Sequence, residues 1–187
     1  SMQSDNLEDD NRAFLALDVP EKLKVLIIEG SPEEGRYLEL ASQLQRSGYA
    51  EGLICSTVAA SSVFPDQIEQ SEVIVLANVG DLSEENIESL LDGVRSGSGL
   101  LVYAGSKMDA FSAEQLIGEL IPLSWNSSIT PDNGQIFQAR VVGQSDPLGL
   151  ELNRLQAEIS DFQITGFHNI EVERESKILL TLDNGKP

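Results

Sequence analysis

The chain has 187 residues, and its 12 Lys and Arg against 31 Asp and Glu give a formal net charge of −19. The length suits one domain of roughly 150 residues with a flanking arm, while the charge repels phosphate backbones and argues against a nucleic-acid partner. One cysteine excludes an internal disulfide, and no apolar run approaches the roughly 18 residues that a membrane-spanning helix needs.

The N-terminal residues 1–22 are predicted to be an arm or the tail of a preceding β domain. Residues 1–10 are polar and acidic, and the segment 14–19 is typical of a short extended arm or edge strand that ends at Pro20. Residues 23–187 are predicted to form one α/β domain. Because the chain stops in the turn 183–187 with no strand after it, we expect a fragment of a longer protein, truncated at the C-terminal end of this domain.

Apolar runs in the first half of the chain predict a parallel sheet. The first run, 24–28, ends in Glu29 and Gly30 just before a helical pattern, which marks the first strand and turn of such a fold. Further apolar runs follow at 53–55, 73–77 and 100–104. With the helices between them, these runs predict an α/β fold with a doubly wound, mainly parallel sheet of the flavodoxin-like kind.

Three helices are predicted in this half. The first carries an apolar stripe at i, i+3, i+4 and i+7, which consists of Tyr37, Leu40, Ala41 and Leu44. This spacing predicts a helix that packs the stripe against the core. The second helix begins with Ser83 as its N-cap. The third is short and begins with the capping-box spacing of Ser112 and Gln115.

The second half of the chain has a different pattern. A polar, glycine-containing loop is predicted at 125–134, and strand-like runs follow at 136–142, 162–167, 170–172 and 178–182. Between these runs, Asp146 and Pro147 begin a helix. One face of that helix carries Leu148, Leu152 and Leu155. We therefore expect a mixed or antiparallel C-terminal extension of the parallel sheet.

The carboxyl ends of the predicted parallel strands are the expected place for a ligand. The candidate residues at those ends are Glu29, Gly30, Asn78, Asp81, Gly105 and Ser106. The oxygens of Glu29, Asn78 and Asp81 could together hold a cation weakly, although a hydrated rim has the same composition. We interpret the six residues as the candidate lining of a ligand crevice, with a hydrated rim as the alternative.

The first strand and the helix that follows it resemble a response-regulator receiver. A receiver needs an acid pair after its first strand to hold Mg²⁺, an aspartate at the end of its third strand and a lysine after its last. Here Glu29 is followed by Gly30, and the third strand ends in Ala77 and Asn78. The sequence therefore argues against phosphotransfer, and Lys107 is interpreted as a surface lysine.

The strand at 100–104 and its turn resemble the class I glutamine amidotransferase-like fold. That family carries a Gly-x-Cys-x-Gly nucleophile elbow at this turn and a downstream His-x-Glu. This chain has Gly105, Ser106 and Lys107 there; Cys55 belongs to an earlier strand, and the single histidine, His168, lacks the glutamate. We therefore predict no catalytic residue, and a hydrolase that uses Ser106 with His168 as base is kept as an alternative.

No metal and no cofactor are predicted. One cysteine and one histidine are too few for a zinc centre. The glycines after the first strand match neither a dinucleotide-binding turn nor a Walker loop. Gly93, Gly97 and Gly99 precede a strand, whereas a phosphate-binding loop follows one, so they are interpreted as the end of a helix.

Diffuse patterns over most of the chain also resemble the amidotransferase-like segment of bacterial BatA-like membrane proteins. Such proteins combine transmembrane helices, von Willebrand A-type domains and β-sandwich modules. The segments that carry the resemblance are 10–12, 19–21, 24–30, 73–78, 96–105 and 183–187. The resemblance implies that this soluble piece comes from a membrane-anchored, extracytoplasmic parent.

These observations predict one function and leave two alternatives. We expect a non-catalytic interaction or scaffold module, whose partner is another protein or another domain of its own chain. One alternative is a sensor domain that binds a small molecule or a cation in the crevice. The other alternative is a degenerate hydrolase or amidotransferase.

Overall fold

The computed structural model describes residues 22–43, 52–121, 123–131, 134–143, 146–172 and 176–187. The predicted arm up to residue 21 and Leu44 of the predicted stripe lie outside the described residues. In chain order the elements are β1 (Leu23–Glu29), α1 (Arg36–Gln43), β2 (Leu53–Ala59), a 3₁₀ turn (Ala60–Ser62), α2 (Pro65–Glu69), β3 (Val73–Ala77), α3 (Glu84–Arg95), β4 (Gly99–Tyr103), α4 (Ala110–Ile117), β5 (Leu123–Ile129), β6 (Ala139–Val141), α5 (Pro147–Arg154), α6 (Gln156–Ser160), β7 (Phe167–Val172) and β8 (Leu180–Leu182).

Four strands form a parallel sheet in the order β2-β1-β3-β4. In its register, Ile27 lies opposite both Thr57 and Val75, and Val75 lies opposite Leu101. These are the four strands that the apolar runs predict, and the α/β class is confirmed. Because the chain passes from β1 to β2 on one side and then to β3 on the other, the order reverses between β1 and β3. Ligands of open α/β sheets bind at such a switch point.

One face of the sheet carries the hydrophobic core. Leu26, Ile28, Ile74 and Leu76 of the two central strands are at most 1% exposed, and they share a face because alternate residues of a strand point the same way. Full burial of such a side chain stabilises the fold by about 2 kcal/mol. The residues of α2, α3 and α4 that cover this face are Ile68, Leu90, Ala113, Leu116 and Ile117. The sequence patterns did not predict α2.

The predicted orientation of α1 is wrong. Tyr37 and Leu40 of the expected core stripe are 82% and 44% exposed, and Ala41 is exposed as well. The neighbouring Glu39 faces the sheet instead, where it accepts a hydrogen bond from the Thr57 hydroxyl at 3.4 Å. The helical period identified an apolar stripe, but it could not tell which side of the helix the sheet would occupy.

Helix α3 begins with its predicted N-cap, since the Ser83 hydroxyl oxygen accepts a hydrogen bond from the Asn86 N–H at 3.3 Å. The predicted cap of α4 is wrong. Asp109 is the N-cap, and its carboxylate accepts from the Ser112 N–H at 2.8 Å. Hydrogen bonds from the Ser112 backbone and hydroxyl hold the pKa of Asp109 below its usual value. Ser112 is therefore the donor to the cap rather than the cap itself.

Replacing Asp109 with alanine is expected to lower the melting temperature at neutral pH, because the first turn of α4 loses its capping carboxylate. The folded-state pKa of Asp109 is lowered, so its contribution is present above the unfolded pKa of about 3.9 and is lost as the pH falls through the folded value. In thermal melts, the difference in melting temperature between Asp109→Ala and wild type should be smaller in acid than at pH 7. Asp109→Asn, whose neutral amide also caps helices, should stay closer to wild type at pH 7; equal melting of Asp109→Ala and wild type at pH 7 would contradict the assignment.

The second half pairs its strands antiparallel, β5 with β7 and β6 with β8. Neither pair joins the parallel sheet within the described ranges, so they are separate two-stranded ladders and not the expected continuation of that sheet. The loop prediction at 125–134 is wrong over 125–129, which belong to β5. Of the predicted strand 162–167, Ile164 makes only an isolated bridge to Phe137 and Phe167 begins β7.

Helix α5 begins as predicted, with Asp146 as N-cap and Pro147 in its first turn. Of the three leucines on its apolar face, Leu152 is partly buried, whereas Leu148 and Leu155 are exposed. Lys177 donates a hydrogen bond to the Asp146 carboxylate at 2.9 Å and so joins this helix to the segment before β8. Across the described residues, no helix combines the length and the apolar character that crossing a bilayer requires.

Candidate functional site

The turn after β3 forms the centre of the C-terminal edge of the sheet. Asn78 has a φ of 51°, a left-handed conformation that asparagine tolerates better than most residues. Its N–H donates to the Tyr103 carbonyl at 2.8 Å. Its side-chain Oδ1 accepts from the Lys107 N–H at 2.8 Å, and its Nδ2 donates to the Glu34 carboxylate at 2.5 Å. One side chain therefore connects the turns that follow β1, β3 and β4.

The two flanking glycines pack directly against Asn78. A Cβ at Gly30 would lie 1.9 Å from the Asn78 carbonyl oxygen, and a Cβ at Gly105 would lie 2.5 Å from the Asn78 side-chain Cγ. The Lys107 ammonium donates to the Gly30 carbonyl. The gap between the ends of β1 and β3 is therefore filled by the chain's own atoms.

A cavity of about 620 Å³ opens beside this network. Of the six predicted crevice residues, only Gly30 and Asp81 line it, and the others that line it are Ala59, Ala60, Ser61, Val63, Gly80, Leu82, Ser83, Asn86 and Lys107. Asn86 is 4% exposed and donates through Nδ2 to the Val63 carbonyl at 3.1 Å. Its Oδ1 has no hydrogen-bond partner in the part of the chain that the structure describes.

The remaining predicted residues lie elsewhere. Glu29 points to the opposite face of the sheet, where it accepts from the Gly35 N–H at 3.3 Å and borders a second cleft with Glu33 and Arg36. Asn78 and Gly105 pack against each other, as described above, and do not line the cavity. Ser106 is exposed. The structure therefore does not bring the six residues together into one site.

His168 of β7 reaches the turn after β4. Its Nε2 lies 3.1 Å from the Gly105 carbonyl oxygen, which can only accept, so Nε2 carries the proton. Its Nδ1 lies 3.3 Å from the Trp125 indole nitrogen, which can only donate, and 2.9 Å from the Ser128 hydroxyl. The Trp125 and His168 rings also pack with their centroids 4.9 Å apart. Nε2 thus attaches the β5–β7 ladder to the turn after β4, and Nδ1 joins β7 to β5 within that ladder.

Within the described residues, this arrangement does not pair Ser106 with a base. A histidine that activates Ser106 would need a free lone pair directed at its hydroxyl, but Nδ1 of His168 accepts from Trp125 and Ser128. Cys55 lies on β2, three strand positions from β4, which is about 14 Å at the usual strand spacing. Within the described ranges, no three His, Cys, Asp or Glu side chains gather closely enough to hold a metal ion.

Four residues of these contacts were not predicted to take part in them. Lys107 was interpreted as a surface lysine, and Glu34, Trp125 and Ser128 carried no role. Three of these contacts are the Ser128–His168, Trp125–His168 and Lys107–Gly30 hydrogen bonds. Each joins residues that are 40 to 77 positions apart in the sequence. No local pattern marks such pairs, although the position of Lys107 directly after Gly105 and Ser106 is the one available signal.

Comparisons with known proteins bear on the fold. No family model and no curated protein matches the sequence. Among solved structures, the chain is similar to the crystal structure of a protein described as ThuA-like from Bacteroides uniformis ATCC 8492. The TM-score is 0.56 and the identity 14%, and the match covers 91% of this chain and 72% of that chain. ThuA-like proteins have the class I glutamine amidotransferase-like fold, and the likeness supports that fold for this chain and shows the fold alone.

Proposed function

We propose that this domain is a non-catalytic interaction module that binds another protein or another domain of its own chain. The observation that carries the proposal is the bonding of His168. The only imidazole of the chain donates to the Gly105 carbonyl and accepts from Trp125 and Ser128. The position at which relatives of this fold keep a reactive group is therefore used to attach the β5–β7 ladder to the sheet.

The His168 variant separates a structural role from a catalytic one. His168→Ala should destabilise the domain by about 1 to 3 kcal/mol, because the Gly105 carbonyl and the Trp125 indole lose their partner. Since Trp125 is the single tryptophan, its fluorescence emission should change as well. Ser128→Ala, which removes one of the two donors to Nδ1, should have a smaller effect on both readouts.

Assays for glutaminase, esterase and phosphotransfer activity complete this test. Wild type, Ser106→Ala and His168→Ala are expected to give the same background signal. An activity of the wild type that both substitutions abolish, while circular dichroism shows both variants folded at the assay temperature, would establish the hydrolase alternative and refute the proposal.

A membrane-anchored, extracytoplasmic parent is part of the proposal, and it is supported only by the resemblance to BatA-like proteins. Fractionation of cells that express the full-length gene product should place it in the membrane fraction. Recovery of the full-length product only in the supernatant would contradict this part and leave the non-catalytic assignment unaffected.

The cavity beside Gly30 and Asp81 favours a second candidate function, the binding of a small ligand. It lies near the switch point between β1 and β3 and contains charges of both signs, from Asp81 and Lys107. A ligand that binds only the folded state raises the unfolding free energy by RT ln(1 + [L]/Kd). Thermal shift against Mg²⁺, Ca²⁺, nucleotides and sugars should then give a shift that Asp81→Asn reduces; no shift with any of them favours the protein partner.

A further inference from the structure

Three segments of the C-terminal half meet at one point. The Val142 N–H donates to the Leu179 carbonyl at 2.9 Å, and the Asp146 N–H donates to the Gly143 carbonyl at 3.1 Å. Helix α5 lies so close to this turn that a Cβ added at Gly149 would overlap the Gly143 carbonyl. The turn after β6, the first turns of α5 and the segment before β8 are therefore in direct contact.

The residues next to these contacts are apolar and remain accessible. Two of them flank Gly149 on α5, one precedes Gly143, and two flank Leu179. These five side chains, which we call the α5 patch, are 37% to 57% exposed, and they are Val142, Leu148, Leu150, Ile178 and Leu180. Monomeric proteins rarely expose several large apolar side chains in one small area unless that area is an interaction site.

The charge around the α5 patch differs from that of the whole chain. The segments 139–155 and 177–182 contain three basic and two acidic residues, whereas the chain as a whole has a net charge of −19. The bases are Arg140, Arg154 and Lys177, and the acids are Asp146 and Glu151. Each acid forms an ion pair with one of these bases, at 2.9 Å and 2.7 Å. A uniformly basic or acidic partner therefore finds little complementary charge here, whereas a second patch of the same composition can exchange these pairs between copies.

We infer that the α5 patch is the contact surface of a symmetric dimer of this chain. The inference rests on the proposed function, since it names a second copy of the chain as the bound protein. In a twofold contact, Leu148 and Leu150 of each copy pack on the α5 patch of the other. The overall charge of −19 opposes the contact, but charges more than a Debye length of about 8 Å away are largely screened at physiological ionic strength. The dimer should therefore become tighter as salt is added, whereas the binding of a basic partner would become weaker.

Sedimentation velocity of the full chain over a wide range of concentration tests the dimer. Wild type should show a monomer–dimer equilibrium, and Leu148→Ser/Leu150→Ser should raise its dissociation constant at least about 100-fold, because buried apolar anchors carry most of the energy of such a contact. The matched control, Tyr37→Ser/Leu40→Ser, also removes two exposed apolar side chains, but from α1. Its dissociation constant should stay within about twofold of wild type, and circular dichroism should show all three proteins folded.

Hydrogen exchange locates the contact without any substitution. Amides of α5 and of residues 177–180 should exchange more slowly at high protein concentration than at low, and amides of α1 should not change. A chain that sediments as a monomer at every concentration, in low and in high salt, would overturn the inference and leave the non-catalytic assignment to the His168 test. A dimer that the α5 substitutions do not weaken, or that high salt dissociates, would overturn it too.

Discussion

Replacing Gly30 with alanine is expected to destabilise the domain by at least about 2 kcal/mol. The added Cβ would lie 1.9 Å from the Asn78 carbonyl oxygen and 2.8 Å from its carbonyl carbon. Both are backbone atoms, so no side-chain rotation relieves the clash, and the ends of β1 and β3 must separate. Urea denaturation followed by circular dichroism measures the loss in the free energy of unfolding.

Gly93→Ala is the matched control for this substitution. Gly93 lies inside α3, and the nearest atoms to an added Cβ are 3.8 Å away. Alanine is favoured over glycine within a helix, so this variant should be more stable than wild type by about 0.5 to 1 kcal/mol. If Gly30→Ala unfolds at the same urea concentration as Gly93→Ala, the close packing of β1 on β3 at this edge is wrong.

Replacing Asn78 with alanine is expected to cost about 3 kcal/mol of stability. The Glu34 carboxylate and the Lys107 N–H lose their partners, and a hydrogen bond to a charged group contributes about 1.5 to 3 kcal/mol. Alanine also tolerates the φ of 51° poorly, at a cost of roughly 1 kcal/mol. Chemical denaturation gives the total.

Asn78→Gly separates these two contributions, because glycine adopts the left-handed conformation freely but supplies no side chain. It should be more stable than Asn78→Ala by roughly 1 kcal/mol and still less stable than wild type. Wild-type stability of Asn78→Gly would mean that the contacts with Glu34 and Lys107 contribute nothing.

The strands were predictable because the residue types within each strand indicate by themselves that the strand is buried. Val25 to Ile28 and Val73 to Ala77 are continuous apolar runs, and a strand buried on both faces requires such a run whatever its neighbours are. The N-cap of α3 at Ser83 was predictable for a similar reason, since a cap is a contact over three residues. The orientation of α1 was not, because Glu39 faces Thr57 of β2, a residue 18 positions further along the chain.

The candidate site was less predictable than the fold. The sequence placed Gly30, Asn78 and Gly105 at the strand ends, and they do meet at that edge. Whether they would border an open crevice or pack against one another depended on how closely β1, β3 and β4 approach. A Cβ added at Gly30 or at Gly105 would lie less than 3 Å from atoms of Asn78. These residues therefore pack against one another and do not border an open crevice.

By itself, the sequence determined the four strands of the parallel sheet and their order of appearance, because these follow from residue types and local periodicity. Only the tertiary structure decided the role of His168 and of Lys107. Each makes a bond to a backbone carbonyl more than 60 residues away, at Gly105 and at Gly30. Every residue has a backbone carbonyl, so residue types cannot predict which carbonyl a distant side chain will contact. Only the folded chain brings the two groups together.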